Sequence, residues 1–137
     1  MQVGCGVIIN KKSQLLLVKK NKGSYKGKWE FPGGKREQDE TIQQCVEREI
    51  REELNCRCDV NGLIVFDKIM FDKDTPINLY FYDVEMIDNE GDIMLSDEHS
   101  EYKWVGIDEI QHIELLKWDY QYVKQIFEFY GIISEYF

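Results

Sequence analysis

A chain of 137 residues fits one domain, 1–137, and 43% hydrophobic with 31% charged residues is the balance of a globular protein, not a disordered one. No apolar run approaches the roughly 20 residues of a membrane span, the N-terminus meets Lys11 and Lys12 too early for a signal peptide, and the net charge of −9 argues against a nucleic-acid polymer as partner. Four cysteines without a Cys-x-x-Cys pair, and two isolated histidines, argue against a zinc site or disulfide framework and for reduced thiols in a cytoplasmic protein.

In chain order, Val3–Ile9 and Leu15–Lys19 are β-rich and flank the polar turn Asn10–Gln14, which predicts a hairpin. Asn21–Lys28 is a basic loop rich in Gly, Ser and Lys. Trp29-Glu30-Phe31 alternates like a short strand, and Pro32-Gly33-Gly34 reads as a turn. The clearest helix follows. Thr41 and Gln44 have capping-box spacing, Ile42, Val46, Ile50 and Leu54 form an apolar stripe, and Asn55 suits the left-handed position that ends a helix. Residues 57–71 and 77–86 predict two long antiparallel strands joined by 72–76, Tyr102–Val105 a short strand, and Trp118–Tyr130 a final helix. Strands, one strong helix, further strands and a last helix predict an α/β (α+β) fold with a mixed sheet between helices.

Charge is distributed unevenly. Residues 1–36 carry a net +8 and residues 37–137 a net −17. That division suits a polyanion held with divalent cations as well as it suits a lysine-rich loop beside an acidic surface. The acidic part has internal order. In Arg48-Glu49-Ile50-Arg51-Glu52-Glu53, the three glutamates fall within an arc of roughly 100° on one helix face. Glu49 and Glu53, four apart, repel each other without a counter-charge. Their arc overlaps the edge of the apolar stripe, so the carboxylates face the body of the protein. Oxygen-only ligands of this kind suit Mg²⁺ or Mn²⁺, and Arg48, four residues before Glu52, is placed to orient it. An acidic helix laced with arginine pairs is the plainer alternative.

The run from Gly34 through Glu40 to Arg48-Glu49-Ile50-Arg51-Glu52-Glu53-Leu54-Asn55-Cys56 resembles the Nudix box, Gly-x5-Glu-x7-Arg-Glu-U-x-Glu-Glu-x-Gly-U, where U is a bulky aliphatic residue. Every fixed polar position matches; Asn55 stands where the box has its second Gly, and Cys56 at the last U. The resemblance implies a Nudix-type α/β/α sandwich and a magnesium-dependent hydrolase of phosphoanhydride bonds. It implies Glu49, Glu52 and Glu53 as metal ligands, joined by the Gly33 carbonyl. Arg48 would orient a carboxylate, and Gly34 and Glu40 would support the loop–helix geometry. A carboxylate beyond the box often serves as general base; Glu98, six residues before Trp104, is the candidate and a further metal ligand, with Glu101 second.

Lys28-Trp29-Glu30-Phe31-Pro32-Gly33-Gly34-Lys35 is similar to the same region in MutT-type enzymes, which split nucleoside triphosphates into monophosphate and pyrophosphate. Lys35 and Lys19 would then meet phosphate, and Asp119, fifteen residues after Trp104, stands where this group places a base-reading side chain. Trp29, Phe31, Tyr80 and Tyr82 are candidates for stacking on a base, or core residues. These expectations favour 8-oxo-dGTP or another canonical or modified dNTP as substrate. CTP-type nucleotides, ADP-ribose and dinucleoside polyphosphates are the alternatives within the family, and a non-catalytic nucleotide-binding regulatory module is the alternative of another class. The expected partner is a small nucleotide, with no membrane, for a monomer or homodimer.

Overall fold

In the computed structural model, which describes residues 1–134, the chain runs β1 (Gln2–Val7), β2 (Leu15–Lys20), β3 (Trp29–Glu30), β4 (Gly33–Lys35), α1 (Ile42–Leu54), β5 (Cys58–Asp72), β6 (Thr75–Met86), β7 (His99–Val105), α2 (Lys117–Tyr120) and α3 (Val123–Phe129). Short 3₁₀ turns lie at Glu90–Asp92 and Ile110–His112. The expected mixed sheet between helices is present, with its strands divided into two sheets: a four-stranded one ordered β4-β1-β6-β5 and a three-stranded one ordered β3-β2-β7. In the first, β1 runs parallel to β6 and antiparallel to β4.

Alternation along the strands decides where the core sits. Leu15 and Leu17 of β2 join Cys5, Val7, Phe81 and the α3 residues Val123, Ile126 and Phe127 in one cluster. Leu16 and Val18 join Val46, Ile50 and Leu54 of α1 in the other. Each strand of the centre is therefore apolar on both faces, with α1 covering one and α3 the other. Val46, Ile50 and Leu54 are fully buried, each stabilising the sandwich by about 1.5–3 kcal/mol.

Helix α1 starts and ends as its sequence predicts. The Gln44 amide donates to Thr41 Oγ1 at 3.1 Å and the Thr41 amide to Gln44 Oε1 at 2.8 Å. Asn55 closes the helix with φ of 55°, and its side chain donates to the Met94 carbonyl at 2.6 Å.

Three expectations change. The chain does reverse through Asn10–Gln14, with the Asn10 amide on the Gln14 carbonyl at 3.0 Å. Beyond the single bridge between Ile9 and Leu15, however, β1 and β2 enter different sheets, because both edges of β1 are taken by β4 and β6. The Gly33-Gly34 turn is instead the strand β4. Gly33 has φ of 155°, and a Cβ there would lie 2.2 Å from the Gly4 carbonyl oxygen, so the residue serves close strand approach. The last helix is two helices, α2 and α3, separated at Gln121–Tyr122. Asp119 within α2 turns inward, and at the break the Tyr122 hydroxyl donates to Asp67 at 2.6 Å. No helix among the described residues is long and apolar enough to cross a membrane.

Candidate active site

One residue ties together the loop before α1 and the acids on it. Arg48 donates through Nε and Nη2 to both carboxylate oxygens of Glu40, at 3.0 and 2.8 Å. Its Nη1 donates to Glu49 at 2.9 Å and to Glu52 at 3.2 Å, and Nη2 also reaches the Lys35 carbonyl at 3.0 Å. The sequence suggested Arg48 as a partner for Glu52; its bidentate contact is with Glu40. That forked contact, together with the Glu37 amide on Oε1 at 2.7 Å, lowers the Glu40 carboxyl to about 2.

Glu49 and Glu53 lie deeper. Gly34 lets the Glu49 carboxylate rest on the backbone, since a Cβ there would meet its Cδ at 2.6 Å. Burial raises the Glu49 pKa against the opposing pull of Arg48. Glu53 is only 6% exposed, and its Oε2 accepts from the Gly33 amide at 2.9 Å. Burial holds its carboxyl well above the ordinary range, and the charges of Glu49, Glu30 and Glu98 add to the effect, with the Gly33 N–H opposing them. Glu52 extends to the surface.

These acids form one wall of a cavity of about 850 Å³. Glu98 reaches the same cavity from the segment before β7; its side chain is 61% exposed and stands 3.8 Å from the Lys22 ammonium. Glu101 does not line the cavity, and it pairs with Lys19 at 3.1 Å. Lys19 itself lies outside the lining, with its ammonium 5.8 Å from the Trp29 ring centre. The register of β2 against β7 slips between Lys19 and Lys20, and Lys20 is the lysine that faces inward, together with Lys35.

Asp119 lies in the wall formed by the other end of the chain. A bridge from Trp29 to Leu115 brings the segment before α2 against β3. Asp119, 6% exposed, then accepts from the Phe31 amide at 3.0 Å. Burial raises its carboxyl to about 8, the Glu30 charge adds to the shift, and the Phe31 N–H and Lys20 oppose it.

Several lining residues escaped sequence reasoning. Glu30 and His99 meet through Oε2 and Nε2 at 2.8 Å. Trp118 stacks on Phe71 at 4.6 Å and takes the edge of Tyr25 at 5.3 Å, so three distant segments supply the aromatic rim. Of the four aromatics considered from sequence, Phe31 lines the cavity, packed edge-on against Phe81 at 5.4 Å. Tyr80 and Tyr82 belong to the α1-side cluster, and Trp29 packs on the other. Neighbouring acids along α1 were the only local signal; Glu30, His99 and the rim converge from separate elements.

A NUDIX domain model matches residues 1–126. The 8-oxo-dGTP diphosphatase of Proteus vulgaris is 35% identical over 92 residues, covering 66% of this chain and 80% of that protein. A nudix hydrolase of Caenorhabditis elegans is 42% identical over 52 residues, covering 38% of this chain and 14% of that longer protein. The crystal structure of a MutT protein from Methanosarcina mazei Go1 superposes with a TM-score of 0.80 at 25% identity, covering 96% of this chain and 94% of the other. The box on α1, the sandwich around it and these matches agree: the chain belongs to the Nudix family and is a hydrolase of phosphorus-containing anhydrides.

Proposed function

We propose that this Nudix hydrolase splits a nucleoside triphosphate into monophosphate and pyrophosphate with the help of Mg²⁺ or Mn²⁺, and that 8-oxo-dGTP is its leading substrate. The observation that carries the reading is the pairing of two buried acids in one cavity. Glu53 stands among other carboxylates at one wall, and Asp119 stands beside the Phe31 backbone at the other.

The donor set at the first wall fits a hard divalent cation. It is all oxygen, and among the described residues the one donor on the buried Glu53 carboxylate is the Gly33 N–H. Glu49, Glu52, Glu53, Glu98 and the Gly33 carbonyl are the proposed ligands. Among the described residues no three acidic, histidine or cysteine side chains already converge on one point. Arg48 keeps Glu49 and Glu52 turned toward itself, so part of that contact must be exchanged on loading. When bound, the cation neutralises polyphosphate charge and lowers the pKa of a bound water.

The chain's own groups do the rest. Lys20 and Lys35 attract the phosphates. Glu98, which lines the cavity, is the proposed base for the attacking water, a role for which Glu101, tied to Lys19 outside it, is the poorer candidate. Arg48 and Glu40 hold the loop against α1. At the second wall, the neutral Asp119 carboxyl offers one donor and one acceptor to a base edge, and the ionised form only acceptors. The relative from Proteus vulgaris, named for 8-oxo-dGTP, supports a guanine-type base. A carboxyl in this position also suits the amino group of cytosine, so CTP-type substrates are the second reading.

The reading is tested by kcat/KM across canonical and oxidised dNTPs, CTP analogues, ADP-ribose and dinucleoside polyphosphates. A triphosphate, with 8-oxo-dGTP first, is the expected preference; a preference for ADP-ribose or a dinucleoside polyphosphate would overturn it.

A further inference from the structure

Residues 30–33 touch three segments of the cavity lining that carry acids. The Gly33 amide donates to Glu53 at 2.9 Å and the Phe31 amide to Asp119 at 3.0 Å. The third link is a side-chain one: Glu30 Oε2 lies 2.8 Å from Nε2 of His99, the residue after Glu98. His99 is 5% exposed although it lines the cavity, and its other ring nitrogen, Nδ1, is buried with no hydrogen-bond partner among the described residues. A buried imidazole with one nitrogen unmet is costly to keep. Leucine or phenylalanine would fill such a place without that cost, so the 2.8 Å contact is the reason for a histidine here. Lys20 Nζ lies 3.5 Å from the same Glu30 oxygen, beside the slip in the β2–β7 register that brings Lys20 opposite His99.

We propose that Glu30 and His99 are a positioning pair, whose hydrogen bond fixes the Glu98 segment relative to Glu53 and so sets the affinity of this corner for a divalent cation. The backbone of the segment is anchored elsewhere: the Ser96 amide donates to the Glu53 carbonyl at 3.1 Å, and the Asn21 amide to the Glu98 carbonyl at 2.9 Å. Those bonds hold the segment to α1 and to the end of β2. Among the described residues, the Glu30–His99 bond is the one that ties it to the stretch from β3 to β4, whose Phe31 and Gly33 amides meet Asp119 and Glu53. The pair acts through hydrogen-bond geometry, Glu30 accepting from the Nε2–H tautomer, and not as a ligand.

This inference rests on the metal-dependent reading above, and the test separates the two. Binding of Mn²⁺ alone to the full chain is measured by the EPR signal of free Mn²⁺, beside kcat and KM on the best triphosphate. His99→Leu and Glu30→Ala are expected to weaken Mn²⁺ binding and lower kcat by roughly 10–100-fold, the range found when a partner behind a metal ligand is removed, while KM moves little. His99→Gln keeps an N–H donor near the Nε2 position and Glu30→Gln keeps an oxygen acceptor, so each is expected to recover most of the loss. Unchanged Mn²⁺ affinity and kcat in Glu30→Ala would overturn the pair, and that variant carries the test if His99→Leu does not fold. A Glu30→Gln defect as deep as that of Glu30→Ala would also overturn it, since Glu30 would then act through its charge. Glu53→Gln is the control: if it binds Mn²⁺ as tightly as wild type, the metal reading itself fails, whereas loss there with none in Glu30→Ala removes only the pair.

Discussion

The two walls of the cavity are built in opposite ways. The wall built on α1 is local: Gly34, Glu49, Glu52 and Glu53 line it and Glu40 and Arg48 brace it, all within twenty residues on β4, α1 and the loop between them. The opposite wall is assembled from afar, with Phe31 from the turn before β4, Phe71 from β5, and Trp118 and Asp119 from α2. The first is strongly charged and held by a single arginine. The second is one buried acid among rings. The contrast teaches that a cluster of charged side chains can be written in a short stretch of chain, whereas a wall of rings around one buried acid depends on how distant segments meet.

The largest expected effect falls on the α1 wall. Glu53→Gln should lower kcat by about 10³-fold or more while the fold persists in circular dichroism, a loss within the range for removing a catalytic carboxylate; near-normal turnover would break the comparison at its stronger end. Chelation with EDTA should stop hydrolysis, with activity restored by added Mg²⁺ or Mn²⁺, and full activity in the chelator would show that these acids serve no cation. Gly34→Ala is next. A methyl 2.6 Å from the Glu49 carboxylate must displace it, and a displacement of about 1 Å near the chemistry costs on the order of 10²-fold; steady-state kinetics with an unchanged melting profile would sharpen the claim that this glycine makes room for a carboxylate.

On the opposite wall, the proposed role of Asp119 as base reader predicts that Asp119→Asn changes the ranking of bases more than the turnover of the best substrate. The carboxyl stands at about 8 against an ordinary 3.8, so the folded protein holds this proton across that window. Its contribution to stability is full below 3.8 and is lost as pH rises toward about 8. Selectivity measured from pH 7 to 9 should shift as the donor is lost, and Asp119→Asn should flatten both profiles; a wild-type ranking independent of pH would count against this residue as the base reader. The smallest effect belongs to Glu40. Its carboxyl falls from 4.5 to about 2, so its contribution is present above 4.5 and is lost as pH falls through that interval. Glu40→Gln should cost on the order of 1 kcal/mol at neutral pH and remove that part of the acid dependence, read from denaturant midpoints.

Much of this was legible because it is local. Helix α1 has its stripe, capping box and left-handed Asn55 all within one window of sequence, and all three are present. The sheet between helices follows from the order of strands and helices along the chain. Pairing between distant strands was not legible: nothing in Val3–Val7 says that β6 runs parallel beside it, so the hairpin with β2 was the natural expectation. At the site, the acids of α1 come from spacing, but their deep burial and the reach of Arg48 to Glu40 come from the loop folding back. Lys19 and Lys20 are neighbours in sequence, and only the β2–β7 irregularity decides that Lys20 turns to the cavity. His99 looked like an isolated histidine because its partner, Glu30, is sixty-nine residues away.

The central claim is tested most directly by the products. In ³¹P NMR of 8-oxo-dGTP turned over with Mg²⁺, the account predicts a nucleoside monophosphate and pyrophosphate in equal amounts from the wild-type enzyme and neither from Glu53→Gln. A nucleoside diphosphate with orthophosphate, or the same products at the same rate from Glu53→Gln, would contradict it.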